Sequence, residues 1–224
     1  MKKLIGVLVS VVLLASCASM NGGGMSAEPQ NKTGFLKGYY DRLQPGPEGG
    51  AILRWIKPGV DWALYNYVML DSVVYFFAND SEYKGIDADE LKTLSDAFNK
   101  ALVDALKDSY PIVTEPGVDV VRIRFAITDL KQSYPGLSAI TTVVPVGLGI
   151  SVLKKGATGS WTGSGATSAE MMALDSMTND VLAVAQDERS ASFTERFEKW
   201  GSAEEAFKFW AERVKKYLDV VHGK

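Results

Sequence analysis

One cysteine, Cys17, and one histidine, His222, are all that 224 residues contain of either type. A lone thiol excludes a disulfide within the chain, so the folded part must be held by packing even in an oxidising compartment. So few thiols and imidazoles also leave no ligand set for zinc. His222 lies at the C-terminal end, where chains fray, a poor place for a catalytic base. A serine hydrolase fails at the nucleophile too: Ser160 and Ser164 stand among Gly156, Gly159, Gly163 and Gly165, but never at the Gly-x-Ser-x-Gly spacing of a nucleophile elbow. Gly147-Leu148-Gly149 lacks the third glycine of a dinucleotide fingerprint, and no Gly-Lys-Ser/Thr occurs. No cofactor is therefore expected, and no enzyme. Positive charge is short as well: 24 Lys and Arg against 27 Asp and Glu give −3 at pH 7, without the basic cluster that nucleic acid requires.

Membrane-length apolar runs are also missing, since a spanning helix needs about 20 residues and Leu4 to Leu14 is shorter. That run instead forms the middle of a secretory leader, between the positive Met1-Lys2-Lys3 and the small pair Ala15-Ser16. The residues Leu14-Ala15-Ser16-Cys17 resemble the bacterial lipobox. The resemblance implies cleavage after residue 16, lipidation of the Cys17 thiol and acylation of the new amine. Ala18 stands where lipoproteins kept in the inner membrane commonly carry Asp, which implies an outer-membrane, periplasm-facing destination. Residues 17–34 are small, polar and Gly-rich, a tether reaching on the order of 20 Å as a flexible coil. Residues 35–224 then form one domain, of a size that supports a full core.

Along that domain, Phe35, Leu36 and Tyr39 are expected to pack on its surface, before a turn-rich break at Pro45 to Gly50. Ala51 to Ile56 reads as a strand. Tyr67 to Phe77 reads as a longer one, apolar on both alternating sets except at Asp71 and Ser72, which places it in the middle of the sheet. Asp87 to Ser109 is a helix: Asp87 caps it with Glu90 three residues on, and Leu91, Leu94, Phe98, Leu102 and Leu106 draw one stripe. Ile112 to Glu115 is a short strand. Val118 to Leu130 alternates, with Val121, Ile123, Phe125 and Ile127 one way and Arg122, Arg124 and Thr128 the other, so one face is wet. Glu170 to Ser176 and Asp180 to Ser190 form a hairpin through Met177-Thr178-Asn179, with Asn179 left-handed. Ala203 to Val221 is a second helix, Ser202 its cap and Glu205 the partner in a capping box. The architecture predicted is α+β, a mainly antiparallel sheet of about five strands with two main helices on one face.

Phe35-Leu36 with Tyr39, the run Arg122 to Asp129, Val144-Pro145-Val146-Gly147, Asp175-Ser176-Met177-Thr178 before Val181-Leu182-Ala183, and Trp210-Ala211 together resemble the bacterial lipoproteins of domain of unknown function 3313. Ser72 departs from that pattern, which has Pro after the aspartate. The Asp-x-x-Thr hairpin tip is also similar to envelope lipoproteins of the curli-secretion and penicillin-binding-protein-activator type, related to the TolB N-terminal domain. Neither resemblance implies catalysis.

Three features carry candidate chemistry. Glu170, near Arg122 or Arg124 on the wet face, and Asp187 on the adjoining strand offer two carboxylates of the kind a glycosidase uses, or ordinary cross-strand charge pairs. Trp55, Trp62, Tyr65 and Tyr67 form an aromatic group suited either to the core or to stacking a sugar or peptide. Leu137 to Leu153 is uncharged but broken by Pro145, Gly147 and Gly149, and is either a buried crossover or an apolar excursion that meets a membrane or partner. The function expected is a non-catalytic lipoprotein, anchored through Cys17, that binds an envelope protein or peptidoglycan. An oligomeric secretion or pore accessory using Leu137 to Leu153, and a carboxylate-based wall hydrolase, remain as alternatives. Oligomeric state stays open, and nucleic acid is not expected as a partner.

Overall fold

A computed structural model describes residues 32–77, 86–131, 166–190 and 200–224. The leader, Cys17, the glycine-rich Gly156 to Gly165 and the whole of Leu137 to Leu153 lie outside the described residues. The fold is built on two long antiparallel partners, β6 (Ala166–Asp175) and β7 (Val181–Ser190). On one side β6 pairs antiparallel with β5 (Val120–Lys131). On the other, β7 pairs with β2 (Leu53–Ile56), which turns back on the two-residue β1 (Gln44–Pro45). Pro45 fits this edge because it has no amide hydrogen to offer a further strand.

The predicted strand Tyr67 to Phe77 is two strands, and neither lies in the middle. β3 (Tyr67–Leu70) and β4 (Val74–Tyr75) both run parallel to β5 along its outer side, against Val120 to Ile123 and against Ala126 and Ile127. The break between them falls at Asp71, whose carboxylate accepts from Arg122 Nε at 2.7 Å and Nη2 at 2.9 Å, with Arg124 Nε at 3.0 Å. The sheet is thus mixed and seven-stranded, where about five mainly antiparallel strands were expected. Parallel partners cannot be joined by a tight turn; the chain between β4 and β5 contains helix α1 (Ala88–Leu106). Ile112 makes a single parallel bridge to Val68 in place of a strand.

The α1 stripe is as its spacing predicts: Leu94, Phe98, Leu102 and Leu106 are buried, and the Asp87 carboxylate accepts from the Asp89 amide at 2.8 Å. Helix α2 (Gly201–Val221) starts two residues earlier than predicted. Ser202 therefore sits inside the first turn, its Oγ buried without a hydrogen-bond partner among the described residues, and Glu205 takes Arg189 Nη2 at 2.6 Å instead of closing a capping box. Both helices cover one face of the sheet, where Phe98 stacks on Phe207 with centroids 4.5 Å apart and planes 6° from parallel. The other face has its own smaller core. Phe35 and Leu36, expected at the surface, are buried there with Tyr40 against Ala126, Met172, Leu174 and Val184. At the hairpin tip Asn179 has φ +59°, and Asp175 Oδ1 accepts from the amides of Met177 and Thr178 and from Thr178 Oγ1.

Candidate functional site

Cross-strand register sets the residues under α2 in rows. One row is Phe125, Met171, Ala185 and Arg54; the next is Ile123, Ala173, Ala183 and Ile56; a third includes Ile127, Ala169 and Asp187. Four of these helix-facing positions are alanines, whose single methyl fills little of the space beneath α2. Helix α2 stacks on α1 through Phe98, Phe207 and Trp210. What remains is a cleft of about 450 Å3, walled by Trp62, Val214, Tyr217 and Leu218 on one side and by the alanine rows on the other. This volume lies within the range of small-molecule sites. Burial pushes the Tyr217 hydroxyl up to about 12, with the Arg54 charge acting the opposite way. The loop Pro47 to Ala51 forms a rim. Its tight entry requires glycine at Gly46, where a Cβ would stand 1.9 Å from the Ala51 carbonyl oxygen.

Polar groups are few, and Asp187 is tied by several bonds. Asp187 Oδ2 accepts from Trp210 Nε1 at 2.8 Å and from Arg213 Nη1, and its Oδ1 accepts from the Ile52 amide at 3.1 Å. One carboxylate thereby ties β7, α2 and the β1–β2 rim together. Arg213 lies over Phe209 at 4.1 Å, with Arg189 4.0 Å from the same ring. Burial lowers the Arg213 pKa, with Asp187 opposing the effect. Arg54 and Lys216 also line the cleft, Arg54 half-buried and Lys216 exposed.

Glu170 and Asp187 do not form a catalytic pair. Glu170 stands opposite Gln186 and Asp187 opposite Ala169, and neighbours along a strand point to opposite faces. Glu170 faces away from the helices, on the same face as Arg122 and Arg124, but its bonds go elsewhere and both arginines pair with Asp71. It is fully buried, accepting from Thr33 Oγ1 at 2.7 Å, Tyr40 OH at 3.0 Å and Gln186 Nε2 at 3.1 Å. Burial raises its pKa and the three donors oppose the rise. The aromatic group is dispersed as well. Trp62 and Tyr65 are buried on the helix side, Trp55 packs against Tyr39 with centroids 5.1 Å apart and planes tilted by 43° on the other, and Tyr67 is exposed at the edge. His222 is half-buried beside Tyr110, its Nδ1 2.7 Å from the Leu218 carbonyl oxygen. Among the described residues no three of His, Cys, Asp and Glu converge on a metal position, and no helix is long and apolar enough to cross a membrane. Sequence reasoning missed Arg54, Arg213 and the alanine floor. The alternation Ala169, Ala173 and Ala183, Ala185 was the available signal.

The family described as Protein of unknown function (DUF3313) matches residues 31–214. The chain belongs to the DUF3313 family. A relative of this DUF3313 chain is the Uncharacterized lipoprotein YdcL of Escherichia coli K12, 26% identical over 145 residues that make up 64% of the chain and 62% of the relative. The match thus spans less than two thirds of that relative's length. Its being a lipoprotein is in line with the motif at Cys17. Two solved structures bear a loose likeness of fold. One is a PelC dodecamer from Paraburkholderia phytofirmans, with TM-score 0.39 and 10% identity over 71% of this chain and 95% of that one. The other is a putative neuraminyllactose-binding hemagglutinin homolog from Helicobacter pylori, with TM-score 0.40 and 11% identity over 71% and 86%. The likeness to TolB-type and curli-secretion lipoproteins is not confirmed by these relatives.

Proposed function

We propose that this DUF3313 chain is an outer-membrane lipoprotein, anchored through Cys17 and facing the periplasm, that serves as a non-catalytic binding protein. Its ligand is apolar and occupies the cleft between α2 and β6–β7. The observation that carries the reading is the cleft itself: alanines form its floor, aromatic and aliphatic groups wall it, and the Asp187–Arg213–Trp210 cluster fixes its polar side. A packed domain seldom leaves such a volume where larger side chains would fill it, because each void forfeits contacts. The carboxylate-hydrolase alternative loses its pair, since Glu170 and Asp187 lie on opposite faces.

The test uses the mature chain with Cys17→Ser, which needs no detergent. An uncharged dye that brightens in apolar surroundings is titrated into it. Saturable binding at one site is expected, and Ala185→Trp, which fills the cleft from its half-buried floor, should abolish it while circular dichroism stays unchanged. If the filled variant binds the dye as its parent does, the cleft is not the site.

A further inference from the structure

Resting on the reading of the cleft as a ligand site, we propose that its ligand is a single-chain amphiphile with an anionic head, the head held by Arg54 and the chain lying over the alanine floor. The register carries the first step. Arg54 on β2 pairs with Ala185 on β7, and Ala185 with Met171 on β6. Directly paired residues project from the same face, so the guanidinium rises from the floor of the cleft beside its apolar rows.

The second step is charge. Arg54, Arg213 and Lys216 line the cleft against Asp187 and Glu48. Asp187 is committed to Trp210, to Arg213 and to the Ile52 amide. Glu48 is exposed on the rim, and no ion pair joins it to Arg54. Arg54 is thus a half-buried cation with no carboxylate partner among the described residues, placed next to an apolar volume. A guanidinium partly withdrawn from water is stabilised by an anion beside it, and its fork of donors matches a carboxylate or a phosphate in two-point contact. The third step is shape: Lys216 is exposed and Arg213 is taken by Asp187, so Arg54 is the half-buried unpaired cation beside one apolar volume, which calls for one head on one chain. Fatty acids and monoacyl phospholipids share that chemistry.

Four competitors are titrated against the bound dye on the mature Cys17→Ser chain: tetradecanoate, its methyl ester, tetradecyl phosphate and tetradecanol. The anionic pair should displace the dye roughly tenfold better than the neutral pair, the scale of one charge-assisted contact. Arg54→Gln should erase that preference without weakening the ester, and Arg54→Lys should restore part of it. Whichever anion binds more tightly identifies the head as carboxylate or phosphate. If neutral and anionic chains compete equally in the parent, the anionic head is wrong while the apolar cleft stands. If none of the four displaces the dye, the amphiphile falls, and if the dye itself does not bind, so does the cleft.

Discussion

At the scale of single residues, Glu170 is a carboxyl with no exposed surface, held by three donors, two from the N-terminal segment and one from β7. Burial puts its folded pKa above the ordinary carboxylate range, so the native state holds that proton more tightly than the unfolded chain does. The stability this contributes is complete below the unfolded pKa and is lost as pH rises through the folded one. Glu170→Gln cannot ionise and escapes that loss. Melting temperatures of variant and parent should therefore shift in the variant's favour between acid and neutral pH; a difference that is constant with pH would sink the assignment. Asn179, at φ +59°, makes a second case. Asn179→Gly should melt close to the parent, whereas Asn179→Val should lose about 1–2 kcal/mol, the cost of left-handed backbone with a branched Cβ. Equal melts for the two would place the strain elsewhere.

Among elements, the closest coupling is between the two helices. Phe98 contacts Phe207, Trp210 and Phe125 at once, so Phe98→Ala should cost about 3–5 kcal/mol, as large core truncations do. It should also lower dye affinity by letting α2 settle toward the alanine floor; chemical denaturation and the dye titration read the two effects separately. Both helices, the β6–β7 hairpin and the alternation of β5 were legible in the sequence because each is announced by local periodicity. The division of Tyr67 to Phe77 was not. Asp71 interrupted the apolar pattern, but its reason lay in Arg122 and Arg124, some fifty residues away. Parallel pairing escaped for the same cause, since alternation reports which face is buried and not which strand lies alongside. Ser202 and Glu205 matched a capping box by spacing alone, and lost it when Glu205 found Arg189. The cleft was hardest to read, because it depends on what alanine leaves unfilled beneath α2.

For the whole molecule, the two faces of the sheet are committed to different tasks. The helix face encloses the cleft, and the opposite face receives the N-terminal segment through Phe35, Leu36 and Tyr40. If Cys17 carries the anchor, Cys17→Ser should move the protein from the outer-membrane fraction to an unprocessed or soluble form, read by fractionation and intact mass; an unaltered distribution would remove the anchor from this residue. The junction of Thr33 and Tyr40 with Glu170 also bears on mechanics. With a lipid on Cys17, a tug of the membrane would reach Thr33 and, through its hydrogen bond, Glu170 in the middle of β6. Tension would thereby be delivered to an interior strand flanked on both sides by long partners, not to the short β1 and β2, which would unzip one hydrogen bond at a time. Such an anchor would hitch the protein by its spine and spare the mouth of the cleft the strain.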